Sequence, residues 1–156
     1  MEPHSGPHPH SQPRFDFTVH DRSGHPRVQV EVKARLGATR DWATKFWLNL
    51  EAFGQRPNAD FFFLVTPEWL YVWKPSKVKK GGTPTRVLDA TKILGPYFQR
   101  VGTGPEGIMP LAFNMLVSLW LNDLTTPGFQ GMKDVGLVLM GLLKAVAGGE
   151  VREERV

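Results

Sequence analysis

Cysteine is absent from this chain of 156 residues. Disulfides and thiolate metal sites are therefore excluded, which fits a reducing, cytoplasmic compartment. Long hydrophobic runs are missing too. The longest apolar stretch, residues 135–143, is too short to span a bilayer, so no membrane partner is expected. The first residues have no apolar core, and no signal peptide is expected. There are no internal repeats, no Gly-rich phosphate loop, no nucleophile elbow and no His/Cys cluster at zinc spacing. A large excess of one charge is also lacking. The net charge of +4 permits a nucleic-acid partner but is too mild to indicate one.

What is present is the composition of a globular protein, 41% hydrophobic and 22% charged, with enough length for one domain and a real core. Residues 1–13, MEPHSGPHPHSQP, read as a flexible tail. His4, His8 and His10 in it offer adventitious transition-metal ligands; composition favours the plain tail.

The most informative stretch is residues 14–33, RFDFTVHDRSGHPRVQVEVK. Phe15, Phe17 and Val19 alternate with Arg14, Asp16 and Thr18. Val28, Val30 and Val32 alternate with Arg27, Gln29, Glu31 and Lys33. Period-two alternation predicts two strands with one buried face each. The turn formers at 21–26 between them predict a hairpin. A turn centred between Ser23 and Gly24 pairs residues whose numbers sum to 47, which sets Asp16 opposite Glu31 on the polar face, with Lys33 on that face two residues on. Two carboxylates ~5 Å apart at an effective dielectric of about 20 repel by on the order of 3 kcal/mol. Lys33, solvent or a divalent cation must offset that. Mg²⁺ favours such oxygen ligands, and a neighbouring lysine can orient water and steady developing phosphate charge.

Asp16, fourteen residues, then Glu31-Val32-Lys33, on two hairpin strands followed by a helix, resembles the PD-(D/E)XK nuclease superfamily, the restriction-endonuclease-like fold. The nearest flavour is the small bacterial restriction-endonuclease-like domains and the amino-terminal nuclease regions of type I restriction subunits. They share a strand ending VEVKA, a Trp-Ala-containing helix, an apolar strand and a Leu-Tyr-Val-Trp strand. The resemblance covers roughly residues 14–75. It implies Asp16 and Glu31 as metal ligands for Mg²⁺ or Mn²⁺, the Val32 carbonyl as a further ligand and Lys33 as the catalytic lysine. It also implies a DNA substrate and a role in restriction or defence. Phe15 stands where the family usually has proline, and Lys45 where many members have glutamine. Most members carry a helix before the first strand, and residues 1–13 do not read as one.

Further along, residues 37–54 predict a helix with Thr39 as N-cap, Asp41 in the first turn and Gly54 as the stop. Trp42, Phe46, Leu50 and Phe53 form its apolar stripe. Arg40 and Lys45 are candidates for phosphate contact or for an ordinary solvated flank. Residues 61–65, FFFLV, predict a central strand buried on both faces. Residues 70–73 predict another, with Trp69, Tyr71 and Trp73 read as packing in preference to base stacking. Residues 74–86 form a basic loop whose Lys74, Lys77, Lys79, Lys80 and Arg86 are the best candidates for backbone phosphate contacts. A short strand at 87–89 and a short helix or turn at 91–100 follow.

Residues 108–124 and 134–147 predict two helices, the second apolar nearly all round. They read either as a helical hairpin that assembles with a second copy or a partner subunit, or as a cover for one sheet face. Residues 150–156 read as a charged tail. The expected organisation is thus a tail at 1–13, an α/β restriction-endonuclease-like mixed sheet flanked by helices at 14–104, a C-terminal helical hairpin at 105–149 and the tail. The expected function is a metal-dependent nuclease. The alternative is an inactive scaffold of the same fold that assembles through its C-terminal helices.

Overall fold

The computed structural model describes residues 14–131, 136 and 141–154. His4, His8 and His10 lie outside the described residues. The hairpin forms as β1 (Phe17–His20) and β2 (Pro26–Val32), antiparallel. Its register pairs Phe17 with Val30, Thr18 with Gln29 and Val19 with Val28, as the turn position predicts. At His20 the pairing slips to Pro26 through a bulge. Pro26 has no N–H for the ladder, and the Asp21 carboxylate draws in the N–H groups of Ser23 and His25, at 2.9 and 3.0 Å. At the open end the alternation also fails. The chain bends at Asp16, so Phe15 does not share a face with Phe17. Its ring instead meets Phe62, 5.0 Å between centroids, on the opposite side of the sheet.

From β2 the chain crosses through α1 (Arg40–Ala52) to β3 (Phe61–Val65), which pairs parallel to β2. Thr39 caps α1, its Oγ1 accepting the Trp42 N–H at 3.1 Å. The all-apolar β3 is central: Phe61, Phe63 and Val65 serve one core, and Phe62 and Leu64 the other. Next come β4 (Trp69–Trp73) and β5 (Arg86–Asp89), both antiparallel to their neighbours. Then follow α2 (Ala90–Val101), α3 (Pro110–Leu124), α4 (Leu142–Val146) and β6 (Glu150–Glu153). The mixed sheet of six strands has the order β5-β4-β3-β2-β1-β6.

Helices cover both faces. Trp47 of α1 stacks on Trp73 at 5.4 Å and 16°. On the other face Phe98, Phe113, Trp120, Leu121, Leu142 and Val146 of α2, α3 and α4 pack against the valines of β1 and β2. The C-terminal helices therefore cover one face of the sheet. Part of the helix expected over 134–147, residues 134, 135 and 137–140, falls outside the described residues. Its described part, α4, starts only after Gly141, whose φ of 71° belongs to no right-handed helix. The charged tail is corrected as well. Glu150–Glu153 is an edge strand antiparallel to β1, because backbone pairing needs no apolar side chains. Among the described residues no helix is long and apolar enough to cross a membrane.

Candidate active site at the open end of the hairpin

The parallel pair β2–β3 sends both strand ends to one edge of the sheet, where α/β folds commonly place their ligands. Glu31 lies one residue before the end of β2. Its neighbours Val30 and Val32 face α2 and α3, so Glu31 faces α1. It is only 3% exposed. Its Oε2 lies 3.3 Å from Lys33 Nζ. Lys33 continues β2, its N–H donating to Val65 O at 2.9 Å. Its ammonium lies 5.8 Å from the centre of the Phe46 ring on α1 and its side chain is 41% exposed, so the cation reaches solvent while holding a buried carboxylate.

Asp16 enters the same corner through the bend before β1. Its Oδ2 accepts the Val32 N–H at 2.7 Å. The ladder of β1 and β2 stops at Phe17–Val30, two residues before Val32, so this carboxylate supplies the acceptor that a backbone carbonyl would have given. The main-chain carbonyl of Asp16 accepts the Glu154 N–H at 2.9 Å. Asp16, Glu31, Val32 and Lys33 thus lie at one end of the hairpin, but not as the open polar face expected: the ladder ends at Phe17–Val30, Asp16 stands in the bend before β1, and Thr18, Gln29 and Glu31 are buried because α1 covers that face.

The donor set suits a hard cation: two carboxylates and, by strand geometry, a Val32 carbonyl on the same side as its N–H. Among the described residues no three His, Asp or Glu side chains converge, so a cation here would need that carbonyl and water.

The crossover loop borders the corner. Glu68 pins it, Oε1 accepting the Gly37 N–H at 2.8 Å. The Arg35 guanidinium lies 5.2 Å over the Trp42 ring. Arg40 is exposed at the first turn of α1 and, with Thr39, Trp69 and Tyr71, lines a shallow cavity of about 320 Å³. Tyr71 and Trp73 are core residues, as the sequence suggests, whereas Trp69 stays 39% exposed. Burial pushes the Tyr71 phenol up, and the nearby Glu68 carboxylate adds to it. Lys45 is exposed on α1, next to Phe46. Arg35, Glu68 and exposed Trp69 are additions that periodicity does not mark. Only the turn residues around Glu68 hint that two loops meet there.

The basic loop is not part of this corner. Trp73, at the end of β4, pairs with Phe62 near the start of β3, and Val72 pairs with Arg86. Lys74, Lys77, Lys79, Lys80 and Arg86 therefore leave from the opposite end of the sheet, about 13 Å along the strands by their rise per residue. Lys74 Nζ lies 5.8 Å from the Phe61 ring centre. Lys77 and Lys79 line a cavity of about 280 Å³ with Thr83 and Thr85. Arg27 shares this end, bridging Asp21 at 2.9 Å and Asp60 at 2.6 Å. Backbone N–H donation from His25, ahead of Arg27, holds the Asp21 carboxyl below the usual range.

In comparisons with known proteins, no family model, no curated protein and no solved structure matches the chain.

Proposed function

We propose that the chain is a divalent-cation-dependent nuclease of the PD-(D/E)XK type, acting on DNA phosphodiester bonds in restriction or defence. One observation carries this reading. A carboxylate 3% exposed is held by a lysine that reaches solvent, and a second carboxylate accepts the N–H of the residue between them, at the end of a parallel strand pair. Burying Glu31 is costly unless its charge is offset, and Lys33 offsets it through one oxygen at 3.3 Å. Asp16, Glu31 and the Val32 carbonyl would hold Mg²⁺ or Mn²⁺. The bound cation would supply Lewis-acid stabilisation of charge on the phosphate. Lys33 donates to the attacking water or to a phosphate oxygen and steadies the added negative charge. Arg40 and Lys45, both exposed on α1, are the candidates for contact with the phosphate backbone.

A second reading has its own observation. The 2.7 Å bond from Val32 N–H gives Asp16 a purely structural task, so the same corner suits a non-catalytic scaffold of this fold. Cleavage of plasmid and single-stranded DNA with Mg²⁺ or Mn²⁺ separates the two. Glu31→Gln and Lys33→Ala are expected to lower metal-dependent cutting by at least about 100-fold while the fold persists by circular dichroism. No cutting by folded wild type, or cutting that survives both substitutions, leaves the scaffold.

A further inference from the structure

The strand β6 ends the sheet, and among the described residues no strand pairs with its outer edge. An open edge is a template for another strand. Beside it α3 exposes Leu111, Met115 and Leu119, at 76%, 62% and 41%. These three side chains, with Phe17 and Glu153, line a groove of about 230 Å³ between α3 and β6.

We infer that this edge is the two-fold interface between two copies of the chain, each β6 pairing antiparallel with the other around Val151. The inference is independent of the nuclease reading.

The hydrogen-bond parity of β6 supports it. The Glu154 N–H donates to Asp16 O, and β6 pairs Arg152 with Thr18 and Glu150 with His20. Even-numbered residues therefore turn their backbone groups toward β1. Val151 and Glu153 turn theirs outward. A second strand docking there meets the N–H and C=O of Val151 first.

Charge then selects the occupant and the register. A two-fold axis perpendicular to the sheet keeps each face on its own side, so some residue must lie opposite its own copy. Centring on Arg152 sets two arginines together, and centring on Glu153 sets two glutamates together. Centring on Val151 joins two valines. It also places Glu150 opposite Arg152 of the second copy, twice over. These are non-hydrogen-bonded pairs, whose Cα atoms approach to about 4.5 Å, where cross-strand side chains interact most. Within one chain Arg152 Nη2 already lies 3.3 Å from Glu150 Oε1, but the two side chains are 56% and 63% exposed, and such a surface pair is weak enough to be exchanged for the same pair across the axis. The strand is its own complement, which favours a second copy over an unrelated peptide. Val151 faces the α3 side, so the same axis brings the two apolar stripes of α3 toward one another.

The test is a charge exchange read by light scattering after size exclusion over a concentration series. Wild type should have twice the 17.5 kDa chain mass. Glu150→Arg alone sets like charges together at both pairs, and so does Arg152→Glu alone. Each should raise the dimer dissociation constant about tenfold or more while circular dichroism stays that of wild type. Mixing the two variants restores opposite charges at both pairs, and a heterodimer should form at wild-type concentration. A pair acting only within one chain would not respond to mixing. Amide exchange gives an independent readout should a variant misfold. In wild type, the Val151 and Glu153 amides should be protected at high concentration and lose protection on dilution. A wild type that stays monomeric, single variants that dimerise like wild type, a mixture that stays monomeric, or edge amides whose exchange ignores concentration would each overturn the inference.

Discussion

The Asp16 carboxylate accepts the N–H of Val32, the residue between Glu31 and Lys33, at 2.7 Å. Structure and chemistry therefore compete to explain one side chain, and two substitutions separate them. Asn at this position keeps an oxygen for the N–H but loses the charge; Ala loses both. Asp16→Ala should cost ~1.5–3 kcal/mol in urea unfolding, because Val32 N–H then lacks its charged acceptor. Asp16→Asn should recover most of that stability. If the nuclease reading holds, Asp16→Asn should be as inactive as Asp16→Ala in DNA cleavage. Cleavage rescued together with stability would make Asp16 a strand cap only. The position was legible from register alone, since the sum of 47 is realised from Phe17 to Val28. The bend was not legible. Phe15 is as apolar as Phe17, and nothing in the alternation tells which face of the sheet it fills.

Among the elements, the two joined by Gly148 and Gly149 depart furthest from the sequence pattern. FFFLV of β3 and the Thr39 cap of α1 stand where the pattern puts them, because burial and capping act locally, but the buried face of α1 centres on Ala43 and Trp47, with Trp42, Phe46 and Leu50 half-buried and Phe53 78% exposed. β6 has no such signal. Three of its four residues are charged, and β1 alone, far away in sequence, makes it a strand. Its placement depends on close approach. The Gly148 N–H donates to Thr125 O at 2.7 Å, and the Gly149 N–H to Val146 O at 2.9 Å. A Cβ at Gly149 would lie 1.8 Å from the His20 carbonyl oxygen, and backbone cannot yield as a side-chain tip can. Gly149→Ala should therefore lose about 2–4 kcal/mol of stability. Gly104→Ala, with nothing within 4 Å of the added carbon, should change stability by less than about 0.5 kcal/mol. Chemical denaturation of both at one low concentration checks the contrast without interference from association. Equal, small effects would mean that β6 is not seated against His20 as described.

At the scale of the whole molecule the sheet acts as a ruler between two charged ends. Asp16, Glu31 and Lys33 lie at the carboxyl ends of β2 and β3, while the basic loop leaves from the other end of β4. Sequence spacing could not show this separation, because only strand direction decides it: β4 runs antiparallel to β3 and carries its own end away. The gap of about 13 Å is well under the roughly 34 Å of one duplex turn, so if DNA is the partner, as proposed, one segment would span both ends. Under the nuclease reading, loop lysines far from the proposed site should act on DNA binding and leave the chemical step alone. Joint replacement of Lys77, Lys79 and Lys80 by Ala should weaken binding of a DNA duplex by about tenfold or more at low salt. The slope of log affinity against log salt should fall by up to about 3, roughly one for each phosphate that a lysine no longer neutralises. Under the nuclease reading the triple variant should raise KM and leave kcat near wild type. Unchanged affinity and slope would make the loop an ordinary solvated one. A fall in kcat at unchanged affinity would mean that the loop reaches the hairpin corner, against the strand directions that set the two apart.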